Sequence, residues 1–338
     1  MRTVRPLEPS HREEWDDCVR RSAASGFMQS WDWSRFKELE GYTAFRLGLF
    51  EENALRGGVI AYYYPSQIEA GLVSMPDGPV VDWNSPHAAA DVDRLIDALI
   101  AVPEAAKAAI LRMEPRLERA PADLPARLSR APMDIIPQET LMIPMGPEAE
   151  MLARMKPKGR YNAKLAAKRG VTVDFSCAPA DVHDFYFILE ATARFQGFAV
   201  EPKRFFINLV SALPASMVQF AFARYKGMTL ATALVVRHAG TATYLYGGHL
   251  PFFSEVMANY ALHWEIMRRA SAEGCKNYDL YGYVSPGQPN HPYDSFSRFK
   301  EKLGGRSVRR IGARDVLLYD RLAKAAVSVF AGAAPPKA

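Results

Sequence analysis

VQFAFARYKGMTLATALVVRHAGTATYLYGGH, residues 218–249, holds three runs rich in β-branched and aromatic residues, at 218–224, 229–237 and 241–247. Such composition suits a pleated, buried surface, so all three read as strands. A helix follows at 255–273, because Val256, Tyr260, Trp264 and Met267 recur at spacings of three and four on one face. A further strand is expected at 277–281. Upstream, helices at 148–154 and 161–169 lead to a strand at 171–175 and helices at 181–195 and 203–213. Strands mixed with helices in this order place this part of the chain in the α/β class.

The first part reads similarly. Helices at 11–21 and 30–40 precede strands at 44–50 and 57–64, a turn-rich strand pair at 72–81, a helix at 88–99, a strand at 109–113, a helix near 122–128 and a strand at 140–143. The two parts share a rough order of elements without sharing obvious sequence, and 338 residues suffice for roughly two domains. We read two related α/β units, 1–142 with 313–338, and 143–312. With 49% hydrophobic and 23% charged residues the composition is that of a folded soluble protein. Cys18, Cys177 and Cys275 form no CxxC pair, which suits neither a disulfide scaffold nor a zinc site and points to a reducing cytoplasm. Charges come too early in MRTVRPLEPSHREEWDD for a secretory leader, and no apolar run reaches the ~20 residues of a membrane span. Residues 323–331, mostly small and apolar behind Arg321 and Lys324, read either as a helix on the protein's own core or as a membrane-surface contact.

GxxxxGK[ST], GxGxxG, HExxH and GxSxG are all absent, which removes the commonest signatures of phosphate cradling, zinc hydrolysis and serine acylation. The seven histidines are scattered, and His249 and His263 read as packed or surface residues rather than ligands. Positive charge is concentrated: Arg154, Lys156, Lys158, Arg160, Lys164, Lys168 and Arg169 fall in sixteen positions, with no acid between Glu150 and Asp174. Backbone phosphates suit such a run, and Tyr161 and Asn162 within it could stack or hydrogen-bond. SRFKEKLGG, residues 297–305, sets Phe299 and Lys300 at the end of a short amphipathic segment closed by two glycines that permit a sharp turn. A lysine ammonium stays charged at neutral pH unless deeply buried, so it can stabilise an oxyanion or hold a phosphate. A second basic group, Arg298, Lys300, Lys302, Arg306, Arg309 and Arg310, is expected near the first. Tyr244 and Tyr246 alternate on a strand, as packed residues of one face do. The strand ends in Gly247 and Gly248, which would leave room for a ligand beside the backbone and gives Tyr246 a place lining a site.

With FMQSWDWSRFK (27–37), MKPKGRYNAKLAAKRGV (155–171), YLYGGH (244–249), YDLYGY (278–283) and FKEKLGG (299–305) in this order, the chain resembles the Fem family of aminoacyl-tRNA-dependent peptidyltransferases that build peptidoglycan cross-bridges. The resemblance implies two acetyltransferase-like (GNAT-like) subdomains with a substrate groove, the C-terminal segment returning to the first. It implies that Phe299 and Lys300 meet the aminoacyl ester, with Lys156, Lys158, Arg160, Lys164, Lys168 and Arg169 toward the tRNA. Lys37, Tyr244, Tyr246 and Glu114 are the residues it implies on the precursor side, a muramyl pentapeptide linked to UDP or to lipid. No metal or cofactor is expected beyond aminoacyl-tRNA as co-substrate, and the protein is expected to act as a monomer in the cytoplasm, at the inner face of the membrane where the acceptor is lipid-linked. Two departures stand out. Glu201 and Phe205 occupy positions where a relative using the UDP precursor has an arginine and a tyrosine, and a long coiled-coil insertion found in some relatives is missing.

An aminoacyl ester is already activated, so attack by an amine needs positioning, loss of a proton and stabilisation of the developing oxyanion. No carboxylate–histidine pair stands out as the base. Three other readings stay open: aminoacylation of a small peptide, an acyl-CoA-dependent N-acyltransferase, and an RNA-binding protein without catalysis.

Overall fold

The computed structural model describes residues 2–66, 71–105, 108–288, 291 and 293–318, so the segment 323–331 lies outside the described residues. The chain divides into two compact units, one running to Gln138 and including residues 310–318, the other Glu139–Arg309.

The first unit comprises β1 (Arg2–Pro6), α1 (Arg12–Arg21), α2 (Trp31–Leu39), β2 (Thr43–Glu51), β3 (Ala54–Tyr64), β4 (Gly71–Pro76), α3 (Ala88–Ala101), β5 (Ala108–Glu114), β6 (Ser129–Arg130) and β14 (Arg314–Leu317). Its sheet runs β1-β2-β3-β4-β5-β14-β6, with β4 and β5 parallel. The FMQSWDW segment explains itself here. Ser30 caps α2 by accepting from the Trp33 amide at 3.2 Å. Buried Gln29 bonds the Ile60 amide and carbonyl and the Pro76 carbonyl at 2.7–2.8 Å, tying the entry of α2 to β3 and β4. Gly48 faces Gly58 across the β2–β3 ladder, and a Cβ on Gly58 would lie 2.2 Å from the Leu47 carbonyl and 3.0 Å from the Trp15 ring. That close approach lets fully buried Trp15 seat against the sheet.

Two expectations fail in this unit. Residues 122–128 form no helix, because Pro125 interrupts it and Leu128 instead closes a turn onto the Pro125 carbonyl at 2.9 Å. Residues 72–81 give one strand, β4, after which Val80 makes an isolated bridge to Gly58.

The second unit comprises β7 (Glu139–Pro144), α4 (Glu148–Arg154), α5 (Pro157–Lys168), β8 (Thr172–Ser176), α6 (Val182–Gln196), α7 (Lys203–Ala212), β9 (Val218–Tyr225), β10 (Met228–His238), β11 (Thr241–His249), α8 (Ala258–Ala272), β12 (Asn277–Gly282), α9 (Asp294–Lys300) and β13 (Arg306–Arg309). The sheet order is β13-β7-β12-β11-β10-β9-β8. The FAFA run of β9 shows how helices cover both faces. Phe220 packs on Phe185 of α6, 4.9 Å between centroids, while Ala221 and Ala223 on the other face join the core containing Ile266 and Met267 of α8. Alanine lets the α8 backbone come close, and phenylalanine fills the wider gap beneath α6. The helix expected at 255–273 begins only at Ala258, after a short 3₁₀ turn and a left-handed Met257 (φ 60°).

Candidate active site

Lys300 ends α9 and is 6% exposed, so its ammonium is not the solvated group of an ordinary helix end. What brings it inward is the backbone around it. After a 3₁₀ turn over Glu301–Leu303, Gly304 and Gly305 take φ of 92° and 99°. A Cβ on either would stand 2.7 Å from a carbonyl oxygen, that of Arg154 or of Met142. On the other side a Cβ on Gly159 would stand 2.0 Å from the Lys302 carbonyl. KPKG of α5 and KEKLGG are thus seated directly on one another, and Lys156 pairs with Glu301 at 2.7 Å.

The acceptors of Lys300 come from a kink in β12. β11 and β12 pair in parallel at Thr241–Asn277, Ala242–Tyr278 and Thr243–Asp279, after which the pairing ends although β11 runs on to His249. On its other edge β12 slips register against β7 between Asp279 and Gly282, and Tyr281 adopts φ 52°. This irregularity aims the Gly282 and Tyr281 carbonyls at Lys300 Nζ, 2.6 and 3.4 Å away. Asp279, fully buried, anchors the kink by accepting from the Tyr281 amide at 2.8 Å and from the Thr140 hydroxyl. Burial pulls the Lys300 pKa down to about 7, with the Asp279 charge opposing it. The Lys300 Nζ also stands 4.7 Å from the centre of the Phe296 ring and 5.8 Å from that of Tyr244.

His263 of α8 joins this cluster, although its sequence context gave it no role. Its Nδ1 lies 2.9 Å from the Tyr278 hydroxyl, and its ring packs edge-on to Tyr244 (4.8 Å) and tilted on Phe299 (5.3 Å). Burial first, then the Lys300 and His249 charges, press its pKa down to about 3, so it is a neutral imidazole. The Tyr244 and Tyr278 phenols are pushed upward by burial and stay protonated. Phe299 sits between Tyr260 (4.9 Å) and His263, a partly buried wall of the α8 core.

The two tyrosines of YLYGGH do not share a face. Tyr246 is registered with Leu234 but Tyr244 with Val235, so Leu245 is an extra residue in a bulge. One slipped residue reverses the faces: Tyr244 turns to His263 and Lys300, while Tyr246 packs edge-on against Phe206 (5.1 Å) and Phe205 (5.9 Å) of α7. Nor is there space beside the glycines. A Cβ on Gly247 would meet the Tyr244 hydroxyl at 2.4 Å, and one on Gly248 the Thr192 hydroxyl at 2.4 Å. Both glycines accommodate the protein's own side chains.

The basic run divides into two sets. Arg154 pairs with Glu150, Lys156 with Glu301, Arg160 donates to the Leu152 carbonyl at 3.1 Å at the end of α4, and Arg169 donates to the Glu255 carbonyl. Lys158, Lys164 and Lys168 are exposed, and Tyr161, 64% exposed, lies one turn from Lys164 on the same helix face as Lys168.

Lys37 and Glu114 belong to the first unit. Lys37 of α2 holds its ammonium 3.9 Å from the centre of the Tyr42 ring and 5.2 Å from that of Tyr64. Glu114, the last residue of β5, accepts from the Ile135 and Ile136 amides at 2.9 and 3.0 Å, while its buried Oε2 has no partner among the described residues. Burial raises its pKa to about 7 against those two bonds. Beside it, Arg112 and Asp315 form a two-pronged ion pair at 2.8 Å that fastens β14 to β5.

Comparison with known proteins accords with this fold. Residues 154–295 match the model of an acetyltransferase (GNAT) domain, and residues 11–130 that of the FemAB family. No curated protein matches the sequence. Among solved structures, FemX superposes with a TM-score of 0.83 at 17% identity, over 96% of this chain and 99% of that one. The C-terminal domain of a putative lysylphosphatidylglycerol synthetase from Agrobacterium fabrum gives 0.55 at 14% identity, over 95% and 96%. A tandem GNAT protein from the clavulanic acid biosynthesis pathway gives 0.54 at 10%, over 93% and 98%. Two mixed sheets, each flanked by helices, are the GNAT-like α/β fold expected of a transferase, with the FemAB match falling in the first unit and the GNAT match in the second.

Proposed function

We propose that this chain moves an amino acid from aminoacyl-tRNA to an amine of a peptidoglycan precursor, a muramyl pentapeptide carried on lipid or UDP. The observation that carries the reading is the setting of Lys300, a buried lysine whose acceptors are the carbonyls of Gly282 and Tyr281. An ammonium has three N–H groups, and these two bonds leave one for a substrate oxygen. In the reaction the acceptor nitrogen bonds the ester carbonyl carbon, the bond from that carbon to the tRNA ribose oxygen breaks, and the proton lost by the amine balances the one gained by the ribose. Negative charge gathers on the carbonyl oxygen midway. Lys300 donates to that oxygen, in a dry setting where removal of one such donor typically costs ~100 to 1000-fold in rate. Neutral His263 and the Tyr244 and Tyr278 phenols keep the lysine's surroundings free of competing charge, and Lys158, Tyr161, Lys164 and Lys168 offer the tRNA backbone an outward basic face. The match of residues 11–130 to the FemAB family model supports the peptidoglycan acceptor.

An acyl-CoA donor is disfavoured, since Gly247 and Gly248 are backed by Tyr244 and Thr192 and leave no open glycine loop for a pyrophosphate. The test is mass spectrometry of the product from purified protein, charged tRNAs, and the UDP-linked and lipid-linked precursors in parallel. Lys300→Met is expected to abolish transfer while tRNA binding survives, and normal turnover in that variant would remove the lysine from the mechanism.

A further inference from the structure

Large apolar side chains stand in the open at one end of the second unit. Phe252 and Phe253, in the loop between β11 and α8, are 66% and 40% exposed, and Met228, at the start of β10, is 46% exposed. They form one surface. The Phe253 ring lies 5.7 Å from that of Tyr225, Met228 is Tyr225's partner across the β9–β10 hairpin, and the Lys226 ammonium sits 5.3 Å from the centre of the Tyr225 ring. Phe253 is also held at φ 54°, a left-handed backbone that a bulky residue adopts only at a cost. Positive charge borders the patch: Arg169 donates to the Glu255 carbonyl in the same loop, and exposed Lys168 precedes it. Arg224 is taken by Asp174, and Glu255 is the carboxylate of the loop itself.

A soluble chain rarely leaves a contiguous apolar tip ringed by lysine and arginine without a partner for it. We propose that this tip docks on an anionic bilayer surface, with Phe252, Phe253 and Met228 entering the interfacial layer and Lys226 and Arg169 meeting lipid phosphates. Nucleic acid fits less well, because a thioether presents no face to a base and the apolar groups project from loop ends. Under the proposed function, which this surface does not need for its test, docking favours the lipid-linked acceptor over the UDP-linked one.

The experiment is co-sedimentation of the full chain with phosphatidylcholine vesicles and with vesicles also containing phosphatidylglycerol, with no transfer reaction involved. The wild type is expected to bind the anionic vesicles and to release with added salt. Phe252→Glu combined with Met228→Glu should weaken binding about tenfold or more, since each exposed apolar side chain contributes on that scale when buried. Lys226→Glu should weaken it about fivefold or more. All three positions are exposed, so unchanged circular dichroism and melting would show the fold intact. Failure of the wild type to bind, or equal binding by the double variant, overturns the proposal. So does a double variant that keeps vesicle binding but loses tRNA binding, which would make the tip a nucleic-acid surface.

Discussion

Lys300→Met should invert its effect on stability between mildly acid and alkaline pH. In the unfolded chain the amine titrates at its ordinary value of 10.5, and in the fold burial pulls it to about 7. Below about 7 both states hold the proton, and the fold carries the whole cost of a buried charge, on the order of 5 kcal/mol. Between the two values the unfolded state binds the proton and the folded state does not, so wild-type stability climbs with pH by up to ~1.4 kcal/mol per unit. Methionine cannot titrate and feels none of this. It also donates nothing to the Gly282 and Tyr281 carbonyls, a loss of ~1 to 3 kcal/mol for a buried acceptor left unpaired. The variant should therefore be more stable than the wild type near pH 6 and less stable near pH 10. Guanidinium unfolding followed by circular dichroism at pH 6, 8 and 10 measures the difference, in which the titration of every other group cancels. A difference that does not change with pH would show that Lys300 is solvated and charged throughout, and the reasoning from its burial would fail.

Glu114→Gln tests the first unit in the same way: the folded carboxyl keeps its proton up to about pH 7 while the unfolded one loses it near 4.5, so wild-type stability should fall across that window and the variant's should not. Thermal melts from pH 4 to 8 read this directly, and parallel curves would refute it. Replacing Lys158, Lys164 and Lys168 together by Ala should lower the log–log salt slope of tRNA binding by about 2 to 3, and an unchanged slope would return α5 to an ordinary solvated helix. Gly159→Ala should destabilise the protein by ~2 to 4 kcal/mol and depress transfer, because its Cβ would sit 2.0 Å from the Lys302 carbonyl; Gly146→Ala, with its nearest neighbour 3.8 Å away, is the control, and equal stability of the two variants would contradict the packing of α5 on the turn after Lys300.

Much of the fold was legible because its signals are local. The three strands of 218–249 and the helix behind them follow from residue type and spacing; the strands form where expected, and the helix starts three residues late, at Ala258. What escaped depends on partners far along the chain. β13 and β14 are four residues each, too short for a periodic signal, and they exist because β7 and β5 offer them edges. The helix expected at 122–128 had apolar residues at suitable positions but also Pro125, and proline decided the matter. Within the site the same division holds. Lys300, Phe299 and the double glycine stand out in the sequence, whereas His263 and Asp279 look like one polar residue each in apolar elements. Only the fold sets His263 against Tyr244, Tyr278 and Phe299, and gives Asp279 the kink of β12 to hold. The bulge at Leu245 is the plainest case: alternation predicts Tyr244 and Tyr246 on one face, and a single extra residue sends them to opposite ones.

That bulge bears on the chemistry. By turning Tyr244 alone toward Lys300, it surrounds the lysine with aromatic rings, Tyr244 and Phe296, in place of water or a second carboxylate. A charge in such surroundings acts strongly on a nearby oxyanion because little solvent screens it, and for the same reason it is easily lost to deprotonation. Asp279 is the counterweight, a buried carboxylate whose charge holds the lysine's pKa up. An acceptor amine must be neutral to attack and so works better as pH rises, whereas the oxyanion donor must be charged and works better as pH falls. In the proposed transfer, with Lys300 near 7, the two requirements overlap only over a narrow range around neutrality, and the position of that range is set first by the burial of the lysine and then by the opposing charge of Asp279.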